Sequence, residues 1–344
     1  MSKAYLLVLA VLMSISLLLG GCAAPPAENV TAEADAVTSA PVEVATDEPT
    51  AEPTEEPVEE PTEEPTPEPT EKPTEEPAAE LTAEEALTAN FSAFFANMTG
   101  FNAIMPNAIY QQIVDGNAPF LLDVRSAEEI EETGYIEGAV NIPLRELVQN
   151  IDKLPSPDTP IVVYCGVGMR SAIGAIALAA LGYTDVKVMQ GGGFGGWVEA
   201  GLPVVEGLPE DAPVLNAFEP EPAAVEAVTA MLATLPPGWA QVKAEDLNAE
   251  IADGAEIVFL DVRSAEEVAE NGYIEGSVHI PLNELIERRA DWPPPDANIV
   301  AYCGVGYRGN LAMSILRAYG YQNVRNLSGG LPSWQEAGFP VVTQ

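Results

Sequence analysis

Three features of this chain predict an α/β fold built twice. Short β-branched runs alternate with helix-like stretches, the runs end at chemically rich loops, and the whole pattern recurs 138 residues later. Asp123-Val124-Arg125-Ser126 returns as Asp261-Val262-Arg263-Ser264, and Gly134-Tyr135-Ile136-Glu137-Gly138 as Gly272-Tyr273-Ile274-Glu275-Gly276. Tyr164-Cys165-Gly166-Val167-Gly168-Met169-Arg170 returns as Tyr302-Cys303-Gly304-Val305-Gly306-Tyr307-Arg308. A repeat this long is a whole domain, not a solenoid unit. Alternating strands and helices imply a parallel sheet with helices on both faces, and sites at the carboxyl ends of the strands.

The first elements are not globular. Lys3 and an apolar run from Tyr5 to Leu19 precede Leu19-Gly20-Gly21-Cys22, which resembles the lipobox of bacterial lipoproteins. The run is short for a membrane span, so residues 1–22 are expected to be a signal peptide. The resemblance implies that Cys22 is lipidated, anchoring the chain at a bacterial cell membrane on the extracytoplasmic side. More than one acyl chain is needed for stable attachment. Residues 23–84 are then a Pro, Glu and Thr tether with units such as Pro53-Thr54-Glu55-Glu56-Pro57. Its prolines deny a helix, its glutamates repel, and it has little to bury, so an extended stalk is expected.

Each unit follows the same order. Units are expected over 85–206 and 223–344, with an acidic, proline-containing linker at 207–222 and an added helix before each unit, at Ala89–Asn97 and Ala223–Ala233. Phe120–Val124 and Val258–Val262 are apolar runs of the buried parallel kind. Ser126 and Ser264, each followed by Ala-Glu-Glu, carry the N-cap and acidic first turn of a helix. Ile161–Tyr164 and Ile299–Tyr302 are strands feeding the cysteine loops, with helices expected at Ser171–Leu181 and Asn310–Tyr319. Val186–Met189 and Val324–Leu327 are the last strands, closed by Gly191-Gly192 and Gly329-Gly330. Trp197 and Trp334 are expected to anchor the final helices.

The cysteine loops carry the chemistry. Cys165 and Cys303 each end a buried strand, where glycines let the backbone curl around sulfur. The following helix start favours an anion there, and such surroundings raise the thiolate fraction of a cysteine. Cys22 is the only other cysteine, so no disulfide framework exists. His279 is the only histidine and Asn141 its counterpart, so neither a Cys-His pair nor a metal site can be common to both units. No metal and no cofactor is expected. His279 is expected to bond locally. The formal net charge is −39, with about a third of the acidic residues in residues 23–80, and no basic patch is present. Nucleic-acid binding is excluded on that ground.

Taken together, the Asp-Val-Arg-Ser strand end, the Gly-Tyr-Ile-Glu-Gly segment leading to Ile-Pro, the Cys-x-x-Gly-x-Arg loop and the closing Gly-Gly…Trp resemble the rhodanese (sulfurtransferase) family. The likeness spans both units. Tyr135 and Tyr273 depart from it, since the family usually has His there. The resemblance implies two tandem rhodanese-like domains in which Cys165 and Cys303 carry a persulfide. Gly166, Val167, Gly168, Met169 and Arg170, and Gly304, Val305, Gly306, Tyr307 and Arg308, would then hold it. The expected partners are a small sulfur donor such as thiosulfate and a thiol or cyanide acceptor, with a protein acceptor as a further option.

Related phosphatases and arsenate reductases have one more residue between cysteine and arginine, so the four intervening residues here fit sulfur rather than phosphate. The remaining alternative is a surface-tethered carrier or binding module without efficient turnover. Arg170 and Arg308 either orient donor oxygens through a planar fork or brace the loop. Arg125 and Arg263 are expected to be architectural, with Glu129 and Glu267 as candidate partners.

Overall fold

The computed structural model describes residues 81–343. The leader, Cys22 and almost all of the expected tether lie outside the described residues.

Two five-stranded parallel sheets repeat one design. The first half runs α1 (Ala83–Ala96), β1 (Ala103–Ile104), α2 (Pro106–Val114), β2 (Phe120–Asp123), α3 (Ala127–Thr133), β3 (Val140–Asn141), β4 (Ile161–Tyr164), α4 (Met169–Ala180), β5 (Val186–Met189) and α5 (Gly193–Glu199). The second half runs α6 (Pro222–Thr234), β6 (Gln241–Val242), α7 (Ala244–Ala252), β7 (Val258–Asp261), α8 (Ala265–Asn271), β8 (Val278–His279), β9 (Ile299–Tyr302), α9 (Tyr307–Ala318), β10 (Val324–Leu327) and α10 (Gly330–Glu336). Strand order is β1-β5-β4-β2-β3 in one sheet and β6-β10-β9-β7-β8 in the other. From β2 the chain runs outward to β3, whereas from β4 it runs the other way to β5. The loops after β2 and β4 therefore diverge, and a crevice opens between them at the strand ends. Cys165 and Cys303 stand beside that crevice in their respective sheets.

Local chemistry explains the helix starts. Ser126 Oγ accepts from Glu129 N while the Glu129 carboxylate accepts from Ser126 N, a reciprocal capping box, and Ser264 and Glu267 repeat it. Trp197 and Trp334 are buried, and their indole N–H groups donate to the carbonyls of Pro203 and Pro340 at 2.8 and 2.9 Å. Tyr135 and Tyr273 each pair their backbone with a tail residue, Val205 and Val342.

The halves are fused more closely than a linker between units suggests. Ser171–Ala180 of α4 and Gly309–Ala318 of α9 are buried throughout, and the two helices pack on each other. Small residues suit this approach: α4 reads Met-Arg-Ser-Ala-Ile-Gly-Ala-Ile-Ala-Leu-Ala-Ala. On its other side α4 lies close on its own sheet, where a Cβ on Gly174 would stand 3.3 Å from Val163 Cγ1. The largest apolar cluster runs through both sheets and includes Val163, Ile176, Leu260 and Ile315. The added helix α6 packs on α1 and α4 of the first half as well as on α9. The linker is bound down too: Asn216 Nδ2 donates to the carbonyls of Leu154 and Pro155, and Phe218 meets Tyr183 edge-on at 5.7 Å.

Candidate active site

Each cysteine sits where a central strand meets its helix. Cys165 and Cys303 are reduced and buried, and each Sγ accepts from the third N–H onward, that of Gly168 or Gly306, at 3.1 Å. Those glycines are in the left-handed region, at φ +101° and +89°, and serve as the N-caps of α4 and α9. The turn aims the helix start at the sulfur. The tip residues Val167 and Val305 are exposed.

The double-glycine turns hold the loops from outside. Phe194 N and Leu331 N donate to the carbonyls of Cys165 and Cys303 at 2.8 Å. A Cβ on Gly193 would lie 2.5 Å from the Cys165 oxygen, and one on Gly330 would lie 2.2 Å from the Cys303 oxygen. No side chain fits there, because backbone meets backbone. These glycines directly follow Gly191-Gly192 and Gly329, and only the close approach reveals their role.

The loop arginines are braced within their own domains. Arg170 Nη1 and Nη2 donate to the two carboxylate oxygens of Glu129 at 2.5 Å each, and Arg308 does the same to Glu267 at 2.6 and 2.5 Å. The pairs bridge the crevice, since the glutamates follow β2 and β7 and the arginines follow β4 and β9. The Arg170 guanidinium holds the Glu129 carboxyl down at about 2, and Arg308 does likewise to Glu267. The hydrogen bonds to their glutamates raise the pKa values of Arg170 and Arg308 against the opposing cost of burial.

The expected pairing of Arg125 with Glu129, and of Arg263 with Glu267, is therefore corrected. Arg125 turns back onto Asp123, with Nη2 to Oδ2 at 2.6 Å, and Arg263 onto Asp261 at 2.5 Å. Both pairs are almost wholly buried, and a buried guanidinium needs every donor matched. Arg125 Nη1 donates to Thr133 Oγ1 and Nη2 to the Gly134 carbonyl, both at 2.8 Å, and Phe194 covers its face at 4.0 Å. The pair ties the strand end to the end of α3. His279 Nε2 donates to the Arg263 carbonyl at 2.8 Å, and Asn141 Nδ2 donates to the equivalent Arg125 carbonyl at 3.0 Å. Both residues bond locally, away from the sulfur.

The two sites differ close to the sulfur. Ser171 Oγ lies 3.7 Å from Cys165 Sγ and donates to the Gly168 carbonyl. Gly309 takes that position in the second site, where a Cβ would stand 2.4 Å from Asn326 Oδ1.

Residues from the opposite domain complete the surroundings, which sequence reading missed. The Trp239 ring lies 5.8 Å from the Arg170 guanidinium carbon, and the Phe101 ring lies 4.8 Å from that of Arg308. The available signal was slight: Gly100-Phe101 and Gly238-Trp239 hold the repeat register.

This architecture, a cysteine loop at the end of a central parallel strand and repeated in tandem, defines a class. The family model for the rhodanese-like domain matches residues 105–200 and 243–337, more than half of the chain. The chain belongs to the rhodanese-like domain family, with two such domains in tandem. A protein named sulfurtransferase from Allochromatium vinosum is 33% identical over 102 residues, covering 30% of this chain and 94% of the relative. Thiosulfate sulfurtransferase PspE of Escherichia coli is 32% identical over 87 residues, 25% of this chain and 78% of the relative. A crystal structure of thiosulfate sulfurtransferase from Pseudomonas aeruginosa aligns over 76% of this chain and 49% of its own, at 24% identity and a TM-score of 0.33.

Proposed function

We propose that the chain is a sulfurtransferase that works by double displacement at Cys165 and Cys303. The thiolate attacks the outer sulfur of a donor such as thiosulfate. A cysteine–sulfur bond forms, the donor's S–S bond breaks, and sulfite leaves with that bond's electron pair. Cyanide, or a cellular thiol, then takes the outer sulfur and restores the thiolate. The observation that carries this reading is the buried Sγ accepting from Gly168 or Gly306 N–H at 3.1 Å. A fixed N–H donor stabilises the anionic thiolate and persulfide without reorganising.

The experiment is thiosulfate-dependent thiocyanate formation from cyanide, with intact-mass measurement after thiosulfate exposure. Cys165→Ser and Cys303→Ser should each remove part of the activity and one loadable sulfur, and the double variant nearly all. Turnover that survives in the double variant, or no added sulfur in the unaltered chain, defeats the proposal.

A carrier for a protein or thiol partner is the second reading, favoured by one observation. Each loop arginine already meets a carboxylate along its edge, so the charge beside the sulfur is close to neutral and a dianionic donor finds little grip. Sulfur loading without turnover would select it. We further propose lipidation at Cys22 and a tether from residue 23 to the start of α1; the expected bounds at 84 and 222 give way to helices that begin at Ala83 and Pro222. The mature chain should partition with the cell membrane on its extracytoplasmic side, Cys22→Ala should block the processing, and an unlipidated, uncleaved chain in the cytoplasm would defeat this.

A further inference from the structure

The loop arginines have two sides, and the halves of the chain divide them. Glu129 and Glu267 take the edges from within each domain. Across the boundary each guanidinium lies over an aromatic ring, Arg170 at 5.8 Å from the Trp239 centroid and Arg308 at 4.8 Å from that of Phe101. A guanidinium paired along its edge and set over an aromatic ring has little freedom to rotate.

The rings are held for this task. Phe101 and Asn102 have φ +55° and +54°, and Trp239 and Ala240 have φ +61° and +57°, the only non-glycine residues in the left-handed region among the described residues. Two such residues in succession, in the same register of both domains, persist only where surrounding contacts impose them. Hydrogen bonds within each domain, Thr99 N to Asn102 Oδ1 at 3.1 Å and Gln241 Nε2 to the Trp239 carbonyl at 3.0 Å, do so together with contacts across the boundary. Tyr307 OH donates to the Phe101 carbonyl at 2.9 Å, while Arg145 lies 5.0 Å from the Trp239 ring on the way to the Leu232 and Leu235 carbonyls. Asn310 of α9 donates to the Met169 carbonyl at 2.8 Å, tying the first loop itself to the second domain.

We infer that Trp239 and Phe101 are positioning residues acting in trans, each steadying the loop arginine of the other domain, whose Nη2 lies over the residue that follows the cysteine, 3.8 Å from a Cβ position on Gly166 and 3.5 Å from one on Gly304. Trp239 serves Cys165 and Phe101 serves Cys303, so each sulfur site is built from both halves. The inference deepens the sulfur-transfer reading by assigning two residues to that site, yet it can be tested without a sulfur donor.

The test is alkylation of the full chain by iodoacetamide across pH, with the Cys165 and Cys303 peptides quantified separately. A guanidinium held near a thiol favours the thiolate. Trp239→Ala should therefore move the midpoint of the Cys165 pH–rate profile up by roughly half a unit, about threefold in rate near neutrality, and leave Cys303 unchanged. Phe101→Ala should do the reverse. Trp239→Phe and Phe101→Trp, which keep an aromatic ring beneath the guanidinium, should restore the unaltered profiles. A midpoint change at the cysteine of the same domain, at both cysteines alike, or at neither would overturn the inference. So would a higher plateau rate with an unmoved midpoint, since that describes a cover acting by bulk alone. None of these readouts depends on whether thiosulfate is turned over.

Discussion

Replacing Glu129 by Gln separates the brace of the first loop from its helix cap. The glutamine amide oxygen can still accept from Ser126 N, so the cap is retained while the ion pair with Arg170 is lost. The Arg170 hydrogen bonds lower the Glu129 carboxyl from its ordinary 4.5 to about 2. At face value that shift corresponds to about 3 kcal/mol. Glu129 is 41% exposed, however, and solvent screening reduces the contribution to about 1 kcal/mol. A depressed carboxyl contributes stability that is full above its unfolded pKa and lost as pH falls through its folded one. The deficit of Glu129→Gln should therefore be constant down to about pH 5 and close toward zero near pH 2. The assay is the thermal midpoint of both proteins from pH 7 to pH 2.5. About 1 kcal/mol corresponds to a difference of about 2–4 °C in a unit of this size. The remaining acidic residues are common to both proteins and cancel to first order. A difference that persists unchanged at pH 2.5, or none at pH 7, would refute the brace.

Asp123→Asn should cost about 3–5 kcal/mol, because it leaves the Arg125 charge buried beside a neutral amide; the loss is measurable by urea unfolding and should be smaller in an Asp123→Asn, Arg125→Met double variant. Gly330→Ala should impair sulfur loading at Cys303 and spare Cys165, because its Cβ would strike the Cys303 carbonyl; intact-mass analysis in each single-cysteine background decides this. Met169→Lys should lower the KM for thiosulfate several-fold at low salt and lose the gain at high salt, since it adds an uncommitted cation to a loop whose arginine is already paired; a salt-independent KM would contradict this.

The strands were legible because burial on both faces leaves an uninterrupted apolar run: Ile161–Tyr164 and Ile299–Tyr302 are observed at the expected bounds. The helices after Ser126 and Ser264 were legible because a cap is chemistry between residues three apart. The two-residue edge strands β1, β3, β6 and β8 are too short to show any period. The partner of Glu129 was hidden for another reason. Arg125 stands four residues before it, a natural helical spacing, whereas Arg170 is 41 residues away and reaches it only across the crevice between strand ends. Burial decides the competition: Arg125 is buried with Asp123, and Glu129 stays at the half-exposed rim. The rings of Phe101 and Trp239 depend on how one half lies on the other, which no local pattern encodes.

Fusion of the two copies explains why their loops differ where they do. In a dimer of identical subunits a twofold contact must be self-complementary, because one sequence supplies both sides. A duplicated chain has no such restriction. Across this boundary Asn310 donates to the Met169 carbonyl, and the position equivalent to Asn310 is Ala172, which has no amide to return the bond. Tyr307 donates to the Phe101 carbonyl, and its equivalent Met169 has no hydroxyl to offer Trp239. Arg145 supports Trp239, whereas its equivalent Asn283 has no guanidinium for Phe101. Each of these three differences lies where one domain meets the other, while the strand ends and caps that each domain needs for its own folding remain alike. Ser171 beside Cys165, and Gly309 pressed against Asn326 beside Cys303, carry the same divergence to the thiols themselves. The two thiols therefore lie in unlike surroundings on a shared core.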